Sequence, residues 1–395
     1  MLQDYGTEII RLASGERLPL LVHRATGMPH EHVADYTLTF HRGVPINTSR
    51  RAVDAIGMFH SWAEWREINL DERFGSGNLF TSDETTALAE ALWKCRSLGK
   101  ESTSVVGETH GHRVDQVSAY ITWRISLTIS SLPVHDARLG NINDRLGMVT
   151  GQLASLKGSS VAKPRGQLTE EQWLRLFEIV RPGSAENPFR RGNQLRNFFV
   201  LLLHHELGVR KAEPLVVKGV HLRFGARPLI TITFTPDDPK DQRLDQPSVK
   251  TRSRTLPMGP VLATAADRLM KQRSTSKAIG AAARKNPFLV LSSGGTSALS
   301  LDSAYDIFRT LRNSFPDDFP SDFAAHHLRR SWNYRFSQAC KKAGVKDELA
   351  DHMRRYVMGW SKTSEQPANY NRKEIEEQAF RLLLAMQDGM TGVEL

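Results

Sequence analysis

Residues 157–168, KGSSVAKPRGQL, break this chain in two. Small side chains, Pro164 and Gly166 leave the stretch nothing to bury and no helix to continue, so it reads as a linker. At 395 residues the whole is too long for one ordinary domain, and a folded body is expected on each side. The two sides differ in charge. Residues 1–150 carry 15 Lys and Arg against 18 Asp and Glu, whereas 151–395 carry 38 against 25. A net −3 body is followed by a net +13 body. Such asymmetry points to a polyanion partner for the second part, nucleic acid being the commonest, with a basic soluble enzyme as the plainer alternative.

Composition narrows the classes further. With 40% hydrophobic and 24% charged residues the chain is ordinary for a soluble protein with real cores. No stretch is long and apolar enough to cross a bilayer. The start, MLQDYGTEIIRLASGERLPL, has acids where a secretion signal needs a basic and then an apolar run, so no export signal and a cytoplasmic location are expected. Cys95 and Cys340 form no CxxC and no metal-ligand spacing, which suits a reducing compartment without a disulfide framework or a zinc site.

Local patterns place the elements. Residues 17–42 read as two short strands around a turn with Gly27 and Pro29. From Ser49 the period becomes helical, with Ala52, Ile56, Phe59 and Trp62 three or four apart. TSDE at 81–84 is a capping box opening a helix that Gly99 would close, and helices are expected over about 113–132 and 138–156. The expected domains are a β-rich extension over 1–45, a helical domain over 46–156, the linker 157–168 and a second, larger domain over 169–395. In that last domain TEEQ at 169–172 caps a helix, and 192–206 has a long apolar face of Leu195, Phe198, Phe199 and Leu202. EPLVVKGVHLRF, RPLITITFTP and SVKTRSRTLPM read as three strands; the remainder is helical, over about 259–273, 302–314, 325–343, 348–359 and 371–388. The fold class is therefore mainly α with a small antiparallel sheet, arranged as two domains.

Chemistry-bearing residues fall at the edges of these elements: Arg210 in GVRKAE, Lys250 in VKTRSRTLP, HHLRR at 326–330, Trp360 in MGW and Tyr370 in ANYNR. Guanidinium groups from two parts of a chain suit a phosphodiester, because each planar fork binds two anionic oxygens at once. In order and approximate spacing these five segments resemble the tyrosine recombinase (phage integrase) family. The resemblance covers about 169–388 and, weakly, the helical domain before it.

The resemblance implies a two-domain clamp on double-stranded DNA that cuts and rejoins strands through a 3′-phosphotyrosine, needing no metal, cofactor or ATP. Tyr370 would be the nucleophile, Arg210 and Arg329 the phosphate clamp, Lys250 the proton donor to the leaving oxygen, and His326 and Trp360 further site groups. Glu213, at the family's acidic position, would support the site; Arg330, Arg252 and Arg254 would bind DNA. The doubled motif HHLRR is resolved by its leucine. Only His326 with Arg329 puts Leu328 directly before the arginine, and Leu328, Trp332, Phe336 and Ala339 form the apolar stripe beside which that pair lies. Arg330 lies a further 100° round the helix. His204 and His205 read as helix surface and core. Trp360 has a competing reading as a core residue on the stripe Met353, Val357, Trp360, and Tyr370 follows it by ten residues where nine are expected.

As a family likeness, the expected role is recombination for a mobile element or phage: integration, excision or transposition, by a tetramer assembled on specific DNA sites with possible DNA-bending accessory proteins. No membrane partner is expected. A type IB topoisomerase and a non-catalytic DNA-binding regulator of the same fold are the alternatives. The stripe Ile375, Ala379, Leu383, Met386 on the last helix could pack on its own domain or, as the resemblance implies, on a neighbouring protomer.

Overall fold

The computed structural model describes residues 4–94, 104–159, 166–249, 252–275, 280–360 and 372–387. Two compact units divide the chain, Met1–Lys163 and Pro164–Leu395. Among the described residues, no helix is long and apolar enough to cross a membrane.

The first unit opens with a hairpin, β1 (Tyr5–Arg11) and β2 (Arg17–His23), antiparallel with Tyr5 opposite His23 and Arg11 opposite Arg17. Among the described residues, six helices follow: α1 (Glu31–Phe40), α2 (Ile46–Trp65), α3 (Leu70–Ser76), α4 (Ser82–Trp93), α5 (Gly107–Ser131) and α6 (Arg138–Ser155). Here the reading of 17–42 as two strands is corrected: the second strand is helix α1, and the partner of β2 precedes it. EHVADYTLTF satisfies both periods, since Val33, Asp35, Thr37 and Thr39 alternate while Val33, Tyr36 and Thr37 share a helical face; that helical face is the one buried. Thr81 and Glu84 form the expected capping box of α4, which ends at Trp93; Gly99 lies outside the described residues. Among the described residues, 4–45 form no separate hydrophobic cluster. Tyr5, Leu21, Val33 and Tyr36 are buried in one cluster with Ile56, Phe59 and Trp62 of α2 and Val117 and Ile121 of α5.

In the second unit α7 (Glu170–Val180) starts at the expected Thr169–Gln172 capping box. Helix α8 (Arg191–Leu207) is almost wholly buried along its second half and ends at Gly208 in the left-handed region, φ 59°. The expected strand over EPLVVKGVHLRF is mostly absent. Pro214 and Gly219 instead give two 3-10 turns, Glu213–Val216 and Gly219–His221, before a two-residue strand β3 (Leu222–Arg223). With β4 (Leu229–Ile232) and β5 (Arg254–Pro257) it forms an antiparallel sheet, Ile232 opposite Arg254 and Leu229 opposite Pro257. Then come α9 (Pro260–Thr275), α10 (Gly280–Lys285), α11 (Leu301–Ser314), α12 (Ala325–Lys342), α13 (Asp347–Met358) and α14 (Arg372–Gln387).

The apolar stripe of α12 packs as expected: Leu328, Trp332 and Phe336 are fully buried in the unit's core. Helix α14 also belongs to that core. Ala379 and Leu383 are completely covered within their own unit, and Gln387 donates to the carbonyl of Pro257 at 3.3 Å. Of the two placements left open for this stripe, the single chain shows the one on its own unit, where α14 lies against β5, α8, α12 and α13.

Candidate active site

The site forms where three segments of the second unit meet: the turn after α8, the strand β5, and the C-terminal end of α13. Leaving α8, the chain turns at Gly208, where a Cβ would lie 2.7 Å from the Trp332 ring. Two residues on, Arg210 and Glu213 stand three apart at the start of a 3-10 turn. Glu213 accepts from the Arg210 main-chain N–H at 2.8 Å and from Arg210 Nη1 at 3.2 Å. From the other side Arg254 reaches the same carboxylate, Nη2 to Oε2 at 2.6 Å and Nη1 to Oε1 at 3.2 Å. Glu213 is fully buried, and burial alone would push its carboxyl up; Arg254 and Arg210, with their hydrogen bonds, hold it below the ordinary range.

Arg254 overturns one expectation. Its side chain is 1% exposed, so it does not face DNA; it is a buried counter-ion. The strand explains why: Arg254 and Leu256 share the inward face of β5 while Thr255 between them is only half-buried. That alternation with Leu256 was the signal available in the sequence. Arg252, before the strand, is exposed.

The doubled motif separates cleanly. Arg329 extends into the cluster, donating from Nη1 to Gly208 O at 2.6 Å and from Nη2 to Met358 O at 3.1 Å. Burial, then the nearby Arg210 guanidinium, lower its pKa to about 10. Arg330 points elsewhere, with Nη1 3.3 Å from Gly166 O. His326 is half-buried, three residues before Arg329, its ring 4.2 Å from that of His327. His327 is the buried histidine: Nδ1 takes the main-chain N–H of Ala324 at 3.3 Å, and Nε2 lies 3.4 Å from Asp322 Oδ1. Asp322, His326 and His327 are the one group of metal-ligand spacing among the described residues. Since His327 Nδ1 accepts, the proton sits on Nε2, facing Asp322. The pair is a helix cap rather than a ligand set.

The end of α13 completes the arrangement. The last two carbonyls of the helix and that of its cap are each held by a different arginine: Val357 O by Arg254 Nε at 2.6 Å, Met358 O by Arg329, and Gly359 O by Arg210 Nη1 at 3.0 Å. Positive charge at the negative end of a helix dipole is favourable, and here three guanidiniums supply it. Gly359 adopts φ 57°, and a Cβ there would stand 2.7 Å from Arg254 Nη1, so only glycine fits. Trp360 then leaves the helix. It is 37% exposed, which sets aside the core reading, and it lines an open groove with Arg330, Asn333, Tyr334 and Arg354. Lys250 and Tyr370 lie outside the described residues. Of two other tyrosines in this unit, Tyr356 donates to Thr255 O at 3.0 Å, and Tyr334 is exposed on α12.

Two buried histidines precede the turn. His204 donates from Nδ1 to Val209 O at 3.1 Å, and His205 packs on Trp173 and Phe177 beside Arg335. Both are core, His204 included, contrary to a surface placement.

No protein-family model matches the sequence, and no curated relative does. Solved structures do. The chain is similar to the XerH site-specific recombinase bound to difH substrate, at 14% identity, over 89% of this chain and 83% of that one, with a TM-score of 0.50. It also matches a lambda integrase tetramer bound to a Holliday junction, at 12% identity over 92% and 93% with a TM-score of 0.41, and the XerA recombinase, at 12% over 88% and 99% with 0.34. The fold, a mainly helical chain with small antiparallel sheets, is that of the tyrosine recombinases.

Proposed function

We propose that this chain is a site-specific DNA recombinase that cuts and rejoins strands through a 3′-phosphotyrosine at Tyr370. One observation carries the reading most: Arg210 and Arg329, 119 positions apart, are fixed to one buried scaffold, by Glu213 and by main-chain carbonyls at the end of α13. Arg210 uses Nη1 and its main-chain N–H there, which leaves Nε and Nη2 for an anion. Guanidinium groups held in place before substrate arrives stabilise charge that grows on the non-bridging oxygens of an in-line phosphoryl transfer, at no cost in reorganisation.

In this reading Tyr370 attacks the phosphorus as its hydroxyl proton leaves, and Lys250 protonates the departing 5′ oxygen. His326 assists at the phosphate, and Trp360 and Glu213 support it. The reverse attack by a 5′ hydroxyl reseals the strand, so no ATP, metal or cofactor is called for. Double-stranded DNA carrying specific sites is the partner, contacted also by Arg252 and Arg330, with a tetramer in the synaptic complex. Integration, excision or transposition of a mobile element is the role such chemistry serves. The similar solved structure of the XerH site-specific recombinase, bound to difH substrate, supports that direction.

The test is covalent trapping. Full-length protein on a nicked DNA substrate is expected to yield a protein–DNA adduct whose labelled peptide contains Tyr370. Tyr370→Phe should bind the same DNA and give no adduct, because only the hydroxyl is lost. An adduct mapped to Tyr356 or Tyr334 would overturn the nucleophile assignment, and relaxation of supercoils without joining of two sites would favour a topoisomerase.

A further inference from the structure

Arg254 lies too deep to touch DNA, yet its guanidinium joins the three segments that build the site. From β5 it reaches Glu213 with both terminal nitrogens and Val357 O with Nε. Every donor nitrogen of the fork is used, and at 1% exposure water cannot replace any of these contacts. Glu213 in turn orients Arg210, and Val357 is the first of the three carbonyls that the arginines hold. We infer that Arg254 is the positioning residue of the phosphate clamp: it sets where Arg210 and the end of α13, and hence Arg329 on Met358, stand relative to each other. This deepens the recombinase reading and rests on it.

The chemistry separates two jobs. One is charge: without Arg254 a fully buried Glu213 keeps Arg210 with its hydrogen bonds and, of Arg329, only the charge, so desolvation gains on it and the carboxylate protonates more readily. The other is geometry: a lysine restores charge but not three divergent N–H donors. Glu213 protonated would release Arg210 from its carboxylate anchor, so loss of Arg254 should write a new ionisation into the pH profile of cleavage.

Single-turnover adduct formation on nicked DNA, measured from pH 5.5 to 8.5 beside half-site binding and thermal melting, tests this. Arg254→Met is expected to cut about 100-fold more slowly with unchanged affinity for DNA, a misplacement effect. Its rate should rise with pH through a step that wild type lacks and that Arg254→Met with Glu213→Gln also lacks. Arg254→Lys should abolish the new pH step yet recover only part of the rate. If Arg254→Met does not fold, Arg254→Lys carries the geometric test against wild type. Full rate and an unchanged pH profile in either variant would overturn the proposal, as would parallel loss of affinity and rate. A wild-type chain that forms no adduct would count against the recombinase reading instead. In that event the carboxylic-acid stretch of Glu213 in infrared difference spectra, expected near neutral pH in Arg254→Met but not in wild type, still decides whether Arg254 holds the carboxylate.

Discussion

Glu206 and Glu213 stand seven residues apart, both buried without measurable exposure to water, and they are driven in opposite directions. Glu213, gripped by two guanidiniums and a main-chain N–H, stays below the usual carboxylate range. Glu206, at the end of α8, has its pKa pushed up to about 8 by burial, against which only the charge of Arg335 acts. Its Oε2 has no hydrogen-bond partner, and Arg335 spends its terminal nitrogens on His205 instead. Equal burial therefore gives unequal chemistry. What decides is whether a cation arrives with its donors aimed at the oxygens. One carboxyl is a charged hub of the site; the other is a neutral group inside a helix packing.

The comparison breaks most sharply on activity. Glu213→Gln removes the charge that Arg254 and Arg210 both pair with, and adduct formation should fall about 100-fold as Arg210 loses its setting. Glu206→Gln keeps the shape of a group that is already neutral, so its rate should stay within about threefold of wild type, an effect below 1 kcal/mol. Single-turnover trapping on one DNA substrate, with both variants side by side, reads the difference; equal losses would abolish the distinction.

Stability against pH sharpens it next. A carboxyl whose folded pKa is raised to about 8 keeps its proton in the fold while the unfolded chain ionises above its ordinary value of 4.5. Its contribution is therefore whole below pH 4.5 and is lost as pH rises toward 8, at up to about 1.4 kcal/mol per pH unit. Denaturant unfolding of the full chain at pH 5 to 8.5 should show that decline, and Glu206→Gln should flatten it. Superimposable wild-type and variant slopes would place the proton elsewhere.

Much of this was legible in sequence, though unevenly. Capping boxes at Thr81 and Thr169 are local, and so is the stripe of α12 that separates Arg329 from Arg330. Strand β1 was not legible, because YGTEIIR becomes a strand only by pairing with RLPLLVH beyond a turn. Arg254 was misread for a related reason. Its charge is printed in the sequence, but its burial depends on a carboxylate 41 positions earlier, and a basic strand edge ordinarily faces solvent. Lone titratable groups inside the core, such as Glu206, leave no pattern at all.

The smallest expected effect extends the comparison to the first unit. His30, packed 4.1 Å from the His60 ring, has its pKa lowered to about 4, first by burial and then by His32, with Asp71 opposing. His60, Tyr5, Tyr120, Glu64 and Arg124 line the same pocket, of about 200 Å³. Below pH 6.5 the unfolded histidine takes a proton that the folded one refuses, so this unit should lose stability as pH falls from 6.5 toward 4. Hydrogen exchange of α2 peptides at pH 7 and pH 5 should show faster opening at pH 5, and His30→Gln should lessen the change. Identical exchange in variant and wild type would remove His30 from the account.

The three carbonyls at the end of α13 also limit how that helix can move. Turning it by one residue rotates the carbonyls 100° and shifts them 1.5 Å along the axis. Arg254, Arg329 and Arg210 approach from strand, helix and turn, so any displacement of that end is opposed from three directions. The point from which the chain continues beyond Gly359 is thereby tied to three separate elements of the unit at once.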